Sequence, residues 1–300
     1  MRSGWRLVAD LGLGVLRARG ADAGSFLQGQ LSNDTTLAAG RWQLTGYHTP
    51  QGRAIALLRL TRIASDDFLA VLPLELVAPV VLRLKRYVLR AKVQITDDSP
   101  QWQIRGYTGA PPALTADALS LPYGSSRHLA VIPQSAALAP DAADGTRSDW
   151  LACDIAEGLP QVYQATSESF VAQMLNLDVT GGIALDKGCY TGQEIIARAH
   201  YRGHVKRRMQ RFASELPCDL KPGQTGALSD GRSFKIVEAL KLADGHCEFL
   251  AVANPPPNTV SAATQSDEKE LAAEEPTQTL VSVQQLALPY DLPTFRGPTD

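Results

Sequence analysis

The residues best suited to chemistry lie in "ALDKGCYTGQEIIARAHYRGHVKRR", Ala184 to Arg208, where one cysteine stands between glycines ahead of a run of basic side chains. A cysteine reacts as its thiolate, which needs nearby positive charge, a helix N-terminus or a metal, together with access. Lys187, Gly188 and Gly192 around Cys189, and a helix expected from near Gln193, meet those conditions on paper. A small buried thiol is the competing reading, since free cysteines are commonly packed inside.

From Lys187 to Arg211 the chain holds seven Lys/Arg against one Glu, in a protein of formal net charge −2. Arg198, Arg202, Lys206, Arg207, Arg208 and Arg211 can meet the phosphates of a nucleic acid or a polyanionic cofactor, with Tyr190 and Tyr201 stacking on a base or ring. The same pattern fits a solvated helix face and edge strand. His200 and His204 have the i, i+4 spacing of metal ligands, but Gly203 weakens a helix there and no third ligand is evident. Gly181, Gly182, Gly188 and Gly192 permit a ligand-cradling turn yet match no phosphate-binding or dinucleotide-binding glycine pattern. Trp150 can be a core aromatic or a platform for a planar ligand.

The elements that must position these residues are legible as alternating patterns. "ADAGSFLQGQLSND" reads as a short helix with Asp22 as N-cap, and Trp42–Tyr47 with Ala54–Leu60 as a hairpin turned at "TPQG". "DDFLAVLP" reads as a strand and "LELVAPVVLRLKRYVLRAKV" as a helix with a basic face. Strand signals recur from "VQITDDSPQWQIRGYTG" to "SSRHLAVIP", and "SDWLACDIAEGLP" opens a helix capped by Ser148 or Asp149. Strand-like segments after Gln210, with turns at Asp230-Gly231 and Asp244-Gly245, predict a C-terminal β domain. Residues 254–279, with five acids against one Lys, read as a solvated insertion. The order is α+β and not a doubly wound parallel sheet.

Length predicts about two domains at roughly 100–200 residues each. The four cysteines, Cys153, Cys189, Cys218 and Cys247, show no C-x-x-C or zinc-type spacing. No apolar run approaches the roughly 18 residues of a membrane span, and the N-terminus lacks a secretory pattern, so the expected location is cytoplasmic.

"KGCYTGQE", Lys187 to Glu194, resembles the signature of the YgfZ family of folate-binding proteins, relatives of the glycine-cleavage T-protein. "FLQGQLSND", "LKRYVLRAKVQITDDS", "WLACDIAEGLPQV", "NLDVTGGIALDKGCYTGQEIIARAHYRGHVKRR" and a terminal "LPY" are similar to other family segments. The resemblance implies a T-protein-like arrangement: residues 1–100 an N-terminal α+β folate-binding segment, 101–205 a central α+β segment with the motif, and 206–300 a C-terminal β-barrel. It implies tetrahydrofolate as cofactor and a role in maintaining iron–sulfur client enzymes, including those that thiolate tRNA, in place of a known turnover reaction. Cys189 is then the functional thiol, and Lys187, Gly188, Tyr190, Gly192, Gln193 and Glu194 shape its turn. Trp150, Asn33, Asp34 and Arg198 are candidate folate contacts, and Arg202, Lys206, Arg207 and Arg208 a tRNA contact.

Two departures stand out. Ala56 and Leu57 in "GRAIALLRL" stand where the T-protein carries acidic residues, one of which assists aminomethyl transfer, and this counts against that activity. Leu11 stands where some relatives carry a second aromatic.

Overall fold

The computed structural model describes residues 6–36, 41–109, 117–136, 145–201, 205, 207–255 and 279–293. In chain order the main elements are β1 (Arg6–Val8), β2 (Leu13–Arg19), α1 (Ala23–Gln30), β3 (Trp42–His48), β4 (Ala54–Ala64), β5 (Asp67–Pro73), α2 (Leu74–Lys85) and β6 (Gln94–Asp97). They continue with β7 (Trp102–Thr108), β8 (Leu119–Tyr123), β9 (Arg127–Pro133), α3 (Arg147–Ala156), α4 (Gln193–Tyr201), β10 (Arg208–Ser214), β11 (Thr225–Leu228), β12 (Ser233–Lys241), β13 (Cys247–Ala253), β14 (Thr279–Val281) and β15 (Val283–Leu286). The expected α+β class agrees with this order. No helix among the described residues is long and apolar enough to cross a membrane.

A five-stranded sheet ordered β3-β4-β5-β2-β6 is the wall on which the molecule is organised. Because strand side chains alternate between faces, Leu16, Ala18, Phe68, Ala70 and Leu72 enter one core, while Val15, Leu69 and Val71 enter a second. The first core is closed by Leu76, Val77, Val80, Val81 and Leu84, the apolar stripe of α2 at helical spacing. The second is closed by Leu121, Leu129 and Val131 of the four-stranded sheet β1-β7-β9-β8. That sheet draws in β1, which pairs antiparallel with β7, so a strand of the first hundred residues completes the sheet of the next segment.

The C-terminal sheet, ordered β14-β11-β12-β13-β10-β15, also faces two ways. Met209, Val237, Leu250 and Val252 pack into the first core, and Phe212, Ile236, Phe249 and Ala251 into a third. This sheet corrects the expectation of a C-terminal β-barrel. The segment after the insertion pairs first with β11, in parallel, and then switches through Ser282 to β10. Among the described residues no β14–β15 ladder closes the seam, so the domain is a curled half-barrel. Tyr290 of the terminal "LPY" returns to the body, its hydroxyl donating to the Gly158 carbonyl at 2.7 Å.

Two helix boundaries differ from expectation. Helix α3 is capped by Thr146, not by Ser148 or Asp149: the Thr146 hydroxyl accepts the Asp149 N–H at 3.1 Å, and the Asp149 carboxylate accepts the Thr146 N–H at 2.8 Å. Helix α2 stops at Lys85 because no apolar residue at helical spacing beyond Leu84 is fully buried, so further turns would gain little. Most of the acidic insertion, 256–278, lies outside the described residues, as do Arg202, His204 and Lys206.

Candidate functional site

The motif loop is built on the end of α1. The Lys187 ammonium donates to the carbonyls of Gln28 at 2.7 Å, Leu31 at 2.6 Å and Asn33 at 3.0 Å. These are the carbonyls a helix leaves unsatisfied at its C-terminus and just beyond, where a cation is also favoured by the helix dipole. Thr191 N–H donates to Gly29 O at 3.3 Å, Ala184 N–H to Ser32 O at 2.9 Å, and the Ser32 hydroxyl to Gly182 O at 2.7 Å. "FLQGQLSND" and "KGCYTGQE", more than 150 residues apart, are therefore one structural unit.

Lys187 thus anchors the loop, its ammonium held by three backbone carbonyls. Burial pushes its pKa down to about 8, with Asp34 pulling the other way. Its ammonium also lies 5.0 Å from the centre of the Tyr190 ring. Tyr190 is buried in the first core, where burial raises its pKa to about 12, so it is a packing residue and not a stacking platform.

The other side of the loop rests on the β3–β4 turn. Gly192 has φ +86°, and a Cβ there would come within 2.5 Å of the Thr49 carbonyl. Only glycine satisfies both the backbone conformation and that approach. Gln193 then starts α4, its N–H donating to Tyr190 O at 3.1 Å. Cys189 is exposed, as is Gly188, which meets no neighbouring atom at the Cβ position. The result is an accessible thiol four residues before the positive end of a helix, on a loop fixed from two sides.

Asn33 and Asp34, expected as folate contacts, serve this framework. The Asn33 amide donates to Leu44 O and Gly181 O, each at 2.8 Å, and its oxygen accepts the Asp34 N–H at 2.9 Å. Asp34 accepts from Thr36 N–H, which holds its carboxyl below the ordinary value, and from Gln28. Arg198, another expected folate contact, forms an exposed i, i+4 pair with Glu194 at 2.7 Å.

The basic run is not a continuous free face. Arg208 makes a two-bond pair with Asp178, at 2.8 and 2.9 Å, and is only 14% exposed, which corrects its assignment to a tRNA contact. Arg211 pairs with Glu248 at 2.9 Å, and Arg207 donates to Asn254 at 3.3 Å.

Trp150 lies elsewhere, in the second core. Its ring contacts Tyr123 with centroids 4.9 Å apart, the Arg127 guanidinium at 4.5 Å and the backbone of Gly106, where a Cβ would clash at 2.6 Å. At 3% exposure it is the wall of a recess, not an open stacking face. The recess holds about 20 Å³, room for roughly one water, and Leu11, Asp154, Gln161 and Tyr163 also line it. It adjoins a cleft of about 380 Å³ between Gly12, Pro73, Leu74, Glu75, Arg147 and Tyr163.

The sequence reading missed the polar groups here. Asp154, i+4 from Trp150 on the same helix face, is 2.8 Å from Arg127; burial pushes its carboxyl up to about 6, against the pull of Arg127 and Arg59. Tyr163 donates to the buried Glu238 of β12. The i, i+4 placement of an acid behind Trp150 was available from the sequence; Glu238, facing it from the C-terminal sheet, was not.

Comparison with known proteins decides the family. The chain is 33% identical over 273 residues to the tRNA-modifying protein YgfZ of Edwardsiella ictaluri, covering 79% of this chain and 81% of that one. It is 31% identical over 270 residues to the tRNA-modifying protein YgfZ of Escherichia coli, covering 78% and 81%. The chain belongs to the YgfZ family. An uncharacterized protein of Haemophilus influenzae is similar at 34% over 211 residues, covering 70% of this chain and 74% of that one. No family model matches. Among solved structures, glycine cleavage system aminomethyltransferase T from Bartonella henselae superposes with a TM-score of 0.66 at 15% identity, covering 84% of this chain and 79% of that one. YgfZ membership and a T-protein-like fold therefore stand together. Ala56 and Leu57 are wholly buried in the first core.

Proposed function

We propose that this chain is a tetrahydrofolate-binding accessory factor of tRNA modification, which supports the assembly, repair or maintenance of iron–sulfur enzymes through the Cys189 thiol. The observation that carries the reading is the exposed Cys189 on a loop that Lys187 fixes to α1 through three backbone carbonyls. An arrangement that rigidifies a loop while leaving its thiol open suits a group presented to a partner or ligand.

The cleft beside Trp150 has the size of a small-molecule site, and its chemistry suits a folate. Glu75 is an acceptor for the amino-pyrimidine donors and Arg147 would meet the carboxylates of the glutamate tail, while Asp154 and Gln161 line the small recess that adjoins the cleft. Folate held there would bring a carrier of one-carbon units. The apolar Ala56 and Leu57 give no acid–base help to such a unit, so binding without aminomethyl transfer is the reading the residues favour.

The test is Cys189→Ser in cells lacking the wild-type chain. The variant should leave the melting temperature and the tetrahydrofolate affinity of the purified protein unchanged, because the thiol is exposed, and should fail to restore iron–sulfur enzyme activity. Full restoration would remove Cys189 from the mechanism.

A further inference from the structure

Among the described residues, a second cationic segment stands apart in the chain from the basic run after the motif. The segment "RLKRYVLRAK", residues 83–92, holds five Lys/Arg and no acid. Among the described residues Arg83 pairs with Glu168, while Lys85, Arg86, Arg90 and Lys92 are exposed and form no salt bridge. Between them Tyr87 is 46% and Leu89 87% exposed. Cations in the last turn of a helix are favoured by its dipole, which accounts for Lys85 and Arg86. Arg90 and Lys92 lie beyond α2 and gain nothing from it.

We infer that this ridge is an RNA-docking surface, with Lys85, Arg86, Arg90 and Lys92 meeting phosphates and Tyr87 presenting a face to an unstacked base. Exposed cations interleaved with an exposed aromatic are the elements of sequence-tolerant single-strand binding. The contrast with the motif's own basic run is physical: there Arg198, Arg208 and Arg211 are each paired with an acid. The ridge is also connected to the Cys189 loop at both ends. Lys92 N–H donates to the Asp22 carboxylate at the start of α1, whose far end carries Lys187, about 12 Å away for eight helical residues. At the other end Arg83 and Tyr87 lie within electrostatic range of Tyr47, on the strand leading into the turn that supports Gly192.

This inference rests on the tRNA-modification reading only for its choice of RNA as the polyanion. The experiment uses the purified full chain, a fluorescently labelled tRNA transcript, and anisotropy titrations between 50 and 200 mM salt. The variant carries Lys85→Gln, Arg86→Gln, Arg90→Gln and Lys92→Gln, and its fold is checked by circular dichroism and tetrahydrofolate affinity. Four phosphate contacts contribute about 3 to the salt slope, so they account for a roughly sixtyfold fall in wild-type affinity over that range. The variant should lose that part of the slope, whereas Arg207→Gln should not change it. Equal affinity and slope in wild type and quadruple variant, or no RNA binding at 50 mM salt, would overturn the inference. Binding to phosphatidylserine vesicles without binding to RNA would also overturn it, and assign the ridge to a membrane surface. Loss of RNA binding with intact folate binding concerns the ridge alone, and the converse concerns the folate reading.

Discussion

Replacing Glu238 by Gln should stabilise the protein, and only at neutral and alkaline pH. Glu238 is 4% exposed on β12, where the ladder to β13 shifts register between Ile236 and Glu238. One carboxylate oxygen accepts from the Tyr163 hydroxyl and the other from the Ala239 N–H at 3.0 Å. Burial lifts its pKa from 4.5 to about 7, against the pull of both hydrogen bonds. A carboxyl with a raised folded pKa keeps a proton that the unfolded chain has released. Its effect on stability is therefore absent below about pH 4.5, grows as pH rises toward 7, and is complete above that. At about 1.4 kcal/mol per pH unit the full cost is about 3 kcal/mol. Glutamine keeps an oxygen for Ala239 and places its amide against the Tyr163 oxygen, so both contacts survive without the charge. Urea unfolding of the two proteins at half-unit steps from pH 4.5 to 8.5 should give curves that coincide at the acid end and diverge by about 3 kcal/mol at the alkaline end. Asp154, also raised by burial, titrates in both proteins, and its charge is one of the causes that raise Glu238. A difference that is constant with pH, or a variant less stable throughout, would refute the burial of a reluctant charge at this site. Tyr163 lines both the recess and the cleft, so the same titration should also change tetrahydrofolate affinity over that pH window if the ligand binds there.

Lys187→Met should lower the free energy of unfolding by about 2–4 kcal/mol, because three charge-assisted bonds are lost while the cost of burying an ammonium is recovered; a change under 0.5 kcal/mol in urea would show that the anchor is not one. Gly192→Ala should cost about 1–3 kcal/mol, from a strained φ and the approach to the Thr49 carbonyl. Limited proteolysis should then cut near Cys189 faster than in the wild type, and an unchanged cleavage rate would argue against the turn's role in holding the loop.

Much of the local structure was legible because it follows from short-range rules. The short continuous apolar run in "DDFLAVLP" gives a strand that can divide two cores, and the turn glycines at 52, 231 and 245 all adopt the positive φ their turns need. The start of α4 at Gln193 was readable for the same reason. The motif octapeptide and its companion "FLQGQLSND" were likewise visible as sequence, and with them the family. The sequence could not show that these two segments touch. A lysine reads as free positive charge until the carbonyls of Gln28, Leu31 and Asn33 are brought to it by folding.

Tertiary structure decided every question of which charge is available. Composition placed the cationic surplus behind Cys189, yet Asp178 and Glu248, distant in the chain, neutralise Arg208 and Arg211, while the cations of residues 85–92 are left exposed. It also decided which carboxylates are unusual, since Asp154 and Glu238 depart from ordinary acids only because packing removes them from water. By itself the sequence determined the α+β elements, the place of the cysteine motif in the chain and the family. The pairing of charges, the anchoring of the thiol loop and the open seam of the C-terminal sheet come from contacts between segments that no local spacing encodes, because each depends on which surfaces the whole chain can bury at once.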